Sequence, residues 1–173
     1  MNIVFLDTYT TNPGDLSWEE FKKLGNVTTY DYTPHELVVE RCKEADIIID
    51  NKVVIDAQII EQLPNLKYIG MLSTGFNVVD ISAAKERGIV VSNVPTYSTE
   101  AVAQLTFALI LSIYNQVELH NSAVHNGEWA ACRDFCFYKS PLIELKDKTI
   151  GLIGYGKIGS EVAKIADAFS MNI

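Results

Sequence analysis

"IGLIGYGKIGSEVAKIADAFSMNI", residues 150–173, decides how the chain is read. Five apolar or small residues, Ile150 to Gly154, lead into Gly154-Tyr155-Gly156-Lys157-Ile158-Gly159. An amphipathic pattern at helical spacing follows. Between a strand and a helix, Gly-x-Gly-x-x-Gly fits a dinucleotide-binding turn. Gly154 would permit the tight turn, Gly156 would let the backbone approach a pyrophosphate, and Gly159 would let the helix pack on the strand. The helix start then offers free N–H groups and a positive dipole end to phosphate. Alone the run is a weak signal, and an ordinary strand–helix turn with incidental glycines is the alternative. The acidic residue that would hold a ribose belongs about 20 residues on, just past residue 173.

Upstream, apolar runs and helical patterns alternate. "NIVFLD" (2–7), "VTTYDY" (27–32), "ADIIID" (45–50), "LKYIGML" (66–72) and "IVVSN" (89–93) read as strands. Between them lie helical patterns. "SWEEFKKLG" (17–25) has a Ser-x-x-Glu capping box and Gly25 at its stop. "TPHELVVERCK" (33–43) has Thr33 as N-cap and Pro34 at the first helical position. "AQIIEQL" (57–63) is short, and "VVDISAAKERG" (78–88) ends at Gly88. Five strands with helical connections imply an α/β, doubly wound parallel sheet, and a flavodoxin-like domain over 1–97 is the natural solution. Pro95 and the polar run 96–100 form a junction. From Ser98 or Thr99 to Gly127 one long helix is expected, spanning roughly 40 Å over 99–126. The strand "KTIGLIG" and the glycine turn follow, so 98–173 reads as the start of a Rossmann domain.

Composition limits function. The net charge is −8, with 22 acidic against 14 basic residues, which argues against nucleic acid and against an anionic membrane surface. "AVAQLTFALILSIY" (101–114) is apolar but shorter than the roughly 20 residues that cross a bilayer. It reads as a buried helix, so no membrane partner is expected. Cys42, Cys132 and Cys136 are odd in number and contain no Cys-x-x-Cys pair. No metal site is expected, and free thiols in a reducing, cytoplasmic setting fit best. The N-terminus carries no basic region ahead of its apolar run and does not read as a signal peptide.

Three blocks together resemble the D-isomer-specific 2-hydroxyacid dehydrogenases. They are "STGFNVVDISAAKERGIVVSNVP" (73–95), "YSTEAVAQLTFALIL" (97–111) and "VHNGEWAACRDFCFYKSPLIELKDKTIGLIGYGKIG" (124–159). The joint order and spacing carry the resemblance, which covers essentially everything from residue 66 onward. "PTYSTEAVAQ" and "FCFYKSPLIEL" are most similar to the glycerate dehydrogenase (hydroxypyruvate reductase) branch. Thr96 and Gln104 stand where many family members have glycine and glutamate, and both substitutions occur in that branch.

The resemblance implies an NAD-dependent oxidoreductase acting on a small 2-hydroxy or 2-oxo acid of the glycerate, hydroxypyruvate or glyoxylate type, with NADP left open. Such proteins have a substrate domain and an inserted nucleotide domain with a cleft between them. Asn51, Lys52, Thr74 and Gly75 match substrate-facing loops. Thr106 matches a helix position on the nicotinamide side. Gly154, Tyr155, Gly156, Lys157, Ile158 and Gly159 match the pyrophosphate turn. The family's catalytic histidine, acid and arginine lie well beyond the glycine turn, so no catalytic residue is expected here; His35, His120 and His125 match none of them. The chain thus resembles the first half of such a dehydrogenase, expected to be inactive alone and to hold NAD weakly. A homodimer through the helix 98–126 is expected. Two other readings share the fold: a corepressor-like regulatory NAD module, and a non-catalytic dimerising fragment.

Overall fold

The computed structural model describes residues 1–173 and divides them into two compact units, Met1–Tyr97 and Ser98–Ile173.

In the first unit the apolar runs form five short parallel strands: β1 (Asn2–Phe5), β2 (Asn26–Thr29), β3 (Ile47–Asp50), β4 (Tyr68–Met71) and β5 (Val90–Ser92). Their order is β2-β1-β3-β4-β5, with Ile3 opposite both Val27 and Ile47, and Ile48 opposite Ile69. This is the flavodoxin-like arrangement expected from the alternation. The twofold side-chain period of a strand splits β1 between two cores. Val4 and Leu6 join Ile48, Ile60 and Ile69 on one face. Ile3 and Phe5 join Ile49 on the other, where Phe5 meets Trp18 at 4.5 Å and the edge of Phe21 at 5.1 Å between ring centroids.

The helices are α1 (Glu19–Lys22), α2 (Val38–Cys42, preceded by a 3₁₀ turn His35–Leu37), α3 (Ala57–Glu61) and α4 (Ile81–Glu86). Asp56 caps α3 through Ile59 N–H, and Asp80 caps α4 through Ala83 N–H. Asp56 also takes the His35 ring at 3.1 Å. Replacing Asp56 by alanine is expected to lower the stability of this unit by about 1 kcal/mol, read as a lower denaturation midpoint at unchanged slope.

Three of the local sequence readings are corrected. Ser17 does not cap α1. Its hydroxyl takes only the Glu19 N–H, the N-cap is Trp18, and Glu20 pairs with Lys23 instead of reaching back. Gly25 is not a left-handed stop: a Cβ there would lie 2.1 Å from the Met1 carbonyl oxygen, so close backbone approach is what demands glycine. Thr33 is buried but is not a cap. Its hydroxyl accepts from Arg41 Nη1 at 2.7 Å, the guanidinium stacks 4.0 Å above the Tyr30 ring, and the N-cap is Pro34 with ψ 147°.

In the second unit the single long helix is also corrected. It breaks into α5 (Thr99–Asn115) and α6 (Val117–His125), bent by 57° at Gln116, which is left-handed at φ 44°. His120 holds the break: Nε2 accepts the Lys139 N–H at 3.2 Å, so Nδ1 carries the proton and donates to the Gln116 carbonyl at 2.9 Å. No single helix is long and apolar enough to cross a membrane, although α5 and α6 together pass on length and composition. Residues 149–153 do not form the expected strand, because only Thr149 finds a partner, a single parallel bridge to Asn172. α7 (Lys157–Ala168) packs Val162 and Ala166 against Ala103 and Phe107 of α5, where Phe107 stacks on Phe169 at 5.3 Å.

Candidate functional site

In an open parallel sheet, ligands bind outside the carboxyl ends of the strands, where the strand order reverses. Here that point lies between β1 and β3. The loop after β1 brings Asp7 to Thr11, the turn after β3 brings Asn51 and Lys52, and the loop after β4 brings Ser73 to Phe76. The loops are tied together by side chains. The Asn51 amide and the Lys52 ammonium approach the Thr10 hydroxyl at 3.5 and 3.4 Å. The Ser73 hydroxyl hydrogen-bonds the carbonyls of Asn51, at 3.2 Å, and Gly75, at 2.8 Å. Thr10, Asn51, Trp18 and Tyr97 line a cavity of about 430 Å³. A larger one of about 550 Å³ follows the outer edge of β5, lined by Phe76, Ile81 and Val90 with Lys85 as its charge. It shares Phe76 with the loop after β4, whereas the smaller, more polar one shares Asn51 with the turn after β3.

The loop 73–76 is shaped from β5. Asn93 Nδ2 donates to the Thr74 carbonyl at 2.7 Å, and the Thr74 hydroxyl donates to the Val94 carbonyl at 2.9 Å. The N–H groups of Thr74, Gly75 and Phe76 make no hydrogen bond within the chain. Successive free N–H groups are the raw material of an anion-binding concavity, and Lys52 lies on the turn that Ser73 ties to this loop. The structure therefore places Asn51, Lys52, Thr74 and Gly75 on two loops joined by Ser73.

Beneath them lie two carboxyls that sequence reasoning passed over. Asp7 is 3% exposed and Asp50 is fully buried. Asp7 accepts the N–H groups of Asn51 at 2.9 Å and Lys52 at 3.1 Å, while Asp50 accepts that of Val53 at 3.2 Å. Burial first, then the charge of Asp7, pushes Asp50 up to about 8. The available signal was an acid closing each of two apolar runs, "IVFLD" and "DIIID".

In the second unit the glycine turn keeps its geometry without a strand before it. Gly154 has φ 96°, a conformation that side chains disfavour. A Cβ on Gly159 would lie 2.3 Å from the Gly154 carbonyl oxygen, so the helix meets the turn only because Gly159 has none. A Cβ on Gly156, the N-cap of α7, would meet only open space. No side chain caps α7, so the first N–H groups from Lys157 onward are free beside the exposed Tyr155 and Ile158. Those residues fit a pyrophosphate. Thr106 lies on α5, and its hydroxyl bonds its own helix at the Val102 carbonyl, 2.8 Å away.

The first unit is thus a flavodoxin-like sheet with free N–H groups on a loop at the carboxyl ends of its strands, and the second carries a glycine turn on a helix N-terminus. Residues 3–170 match the model of the D-isomer specific 2-hydroxyacid dehydrogenase catalytic domain, and the chain belongs to that family. It is 46% identical over 176 residues to the hydroxypyruvate reductase of Blautia hydrogenotrophica, covering 100% of this chain and 55% of that protein. Among solved structures it resembles an acyclic imino acid reductase, Bsp5, in complex with NADPH and D-Arg. There the TM-score is 0.77 at 32% identity over 99% of this chain and 54% of that one. It also resembles a D-lactate dehydrogenase from Aquifex aeolicus complexed with NAD and lactic acid, at TM-score 0.75 and 27% identity, over 99% of this chain and 49% of that one. The chain thus spans about half the length of the relatives it matches.

Proposed function

We propose that this chain supplies the acid-binding domain and the opening of the nucleotide domain of an NAD-dependent oxidoreductase for small 2-hydroxy or 2-oxo acids. Hydroxypyruvate and glycerate, or glyoxylate, are the substrates that the likeness to the hydroxypyruvate reductase favours. One observation carries the reading: three consecutive unpartnered N–H groups, at Thr74, Gly75 and Phe76, face solvent beside a loop that holds Lys52. They receive the substrate carboxylate, Lys52 draws the anion in, and Asn51 with Thr10 offers hydrogen bonds to its hydroxyl or oxo oxygen. NAD, when bound, supplies or accepts the hydride. The free N–H groups at the start of α7 hold its pyrophosphate, and Gly154 and Gly159 shape that turn. This chain by itself holds the cofactor weakly, contributes no proton donor to the reaction, and pairs with a second copy through residues 98–126.

Titration of ¹⁵N-labelled protein with D-glycerate tests the cradle. The amide resonances of Thr74, Gly75 and Phe76 are expected to shift saturably at millimolar acid, together with those of Asn51 and Lys52, and Lys52→Ala is expected to weaken binding several-fold. Shifts scattered over the surface, or none at 74–76, would overturn the assignment.

A further inference from the structure

The two acids beneath the cradle do something the anion site does not explain. Asp7 lies two residues past β1 and Asp50 closes β3, on neighbouring strands paired at Phe5 and Ile49. Neither carboxyl has a cation against it. The ionisable groups around the pair come from each element that surrounds it. The turn itself brings Lys52, whose ammonium reaches away to Thr10. α2 brings Cys42, a thiol pushed up to about 12 by burial and by Asp50 and therefore neutral. Asp31 holds the hydroxyl of Thr8, the residue next to Asp7, and does not bond the pair. β4 brings Met71 and Leu72, which carry no charge.

Two buried carboxyls within hydrogen-bonding reach of each other, without a cation, resist ionising together near neutral pH. The hydrogen bonds distinguish the two acids. Both Asp7 oxygens accept backbone N–H groups, as a carboxylate's would. Asp50 Oδ1 accepts the Val53 N–H, while Asp50 Oδ2 is buried without a hydrogen-bond partner. A buried oxygen without a donor is costly unless it is itself the donor.

We propose that Asp50 Oδ2 carries a proton and donates it to Asp7, so that the two acids form one carboxyl–carboxylate pair that fixes the Asn51–Lys52–Val53 turn. Asp7 and Asp50 are positioning residues: they touch no ligand and act through the turn that presents Asn51 and Lys52. With the proton present, three consecutive N–H groups, 51 to 53, are held by two acids that attract each other. With it lost, the same acids repel and the turn loosens. The consequence for acid binding rests on the proposed function; the proton site itself does not.

A titration without any substrate tests the pair. In the wild-type chain the ¹³Cγ resonance of Asp50 is expected to move with a midpoint near 8, and the amides of Asn51, Lys52 and Val53 are expected to move with it. Asp50→Asn keeps a donor toward Asp7 and an acceptor for Val53, so in D50N those amides hold their near-neutral positions up to pH 10. Thermal unfolding gives a second reading. Asp50's folded value lies above its unfolded value of about 4, so the folded chain retains a proton that the unfolded chain releases. Wild-type stability therefore falls relative to D50N as pH rises from about 4 to about 8, and the gap is constant above that. An Asp50 midpoint near 4, amides at 51–53 that stay still between pH 6 and 10, or an alkaline transition that survives in D50N would each overturn the proposal. The carbon titration needs no variant, so a D50N chain that fails to fold leaves the test intact. A failed D-glycerate titration would strike the acid site and leave this one standing.

Discussion

Purified as its 173 residues, the protein is expected to show no hydroxypyruvate-dependent oxidation of NADH above a protein-free control. Reduction of a 2-oxo acid needs a proton delivered to the oxo oxygen as the hydride arrives, and a positioned acid contributes about 10²–10⁴ in rate. Each imidazole here is engaged or misplaced. His35 bonds Asp56, the cap of α3. His120 spends both ring nitrogens on the helix break, at Gln116 and Lys139. His125 is the last residue of α6, exposed in the second unit. Asp50 holds a proton near neutrality but has no surface through which to pass it to a substrate. Even with an acid at the proposed cradle and a pyrophosphate at the glycine turn, nothing among these groups completes the reaction. Turnover at rates common among enzymes, about 1–1,000 per second, in preparations free of other dehydrogenases would contradict this. So would activity abolished by His35→Ala.

The fold was legible because its signals are local. Runs such as "NIVF" and "IIID" must be buried on both faces, and that burial is possible only in a parallel sheet with helices on each side. The glycines at 154 and 159 were legible because each answers a backbone demand, a positive φ in one case and a 2.3 Å approach in the other. What could not be read depends on partners far along the chain. Thr33 looks like a cap until Arg41, eight residues on, claims its hydroxyl. "KTIGLIG" has the composition of a strand, but a strand exists only beside another, and only Asn172 runs alongside. The break at Gln116 carries no glycine or proline; it rests on His120 and on the Lys139 backbone. Asp7 and Asp50 each look like an ordinary strand-ending acid, and only the pairing of β1 with β3 makes them one group. Within the candidate site, family resemblance identified loops, whereas the ties between those loops, through Thr10, Ser73 and Asn93, came from the structure.

A second large effect is expected in solution mass. α5 buries one stripe, Ala103 and Phe107, against α7. A second stripe, at Val102, Leu105, Leu109 and Ile113, follows the same helical spacing on another face, with Leu105 at 59%, Leu109 at 57% and Ile113 at 69% exposure. Beyond the bend, α6 exposes Val117, Leu119 and Val124 as well. An apolar stripe along α5, with further exposed apolar residues on α6, exceeds the scattered exposure that monomers tolerate. Its residues are neutral, so two copies can meet without bringing like charges together, in a chain whose net charge of −8 opposes unspecific contact. A self-complementary twofold contact is the simplest way to cover it. A stable one would bury about 800 Å² on each partner, within reach of two helices totalling 26 residues, 17 in α5 and 9 in α6. Beyond the Thr149–Asn172 bridge, residues 151–153, with Ile153 fully open, offer an unpaired backbone that a second copy could also meet. Light scattering at micromolar concentration is therefore expected to give about twice the 19.3 kDa chain mass. Leu109→Glu places a charge in the middle of the stripe and is expected to return the protein to a monomer, with the circular dichroism of the helices unchanged. A monodisperse 19.3 kDa species for the wild type would sink the dimer, and a dimer that persists in both L109E and L105E would move it to another face.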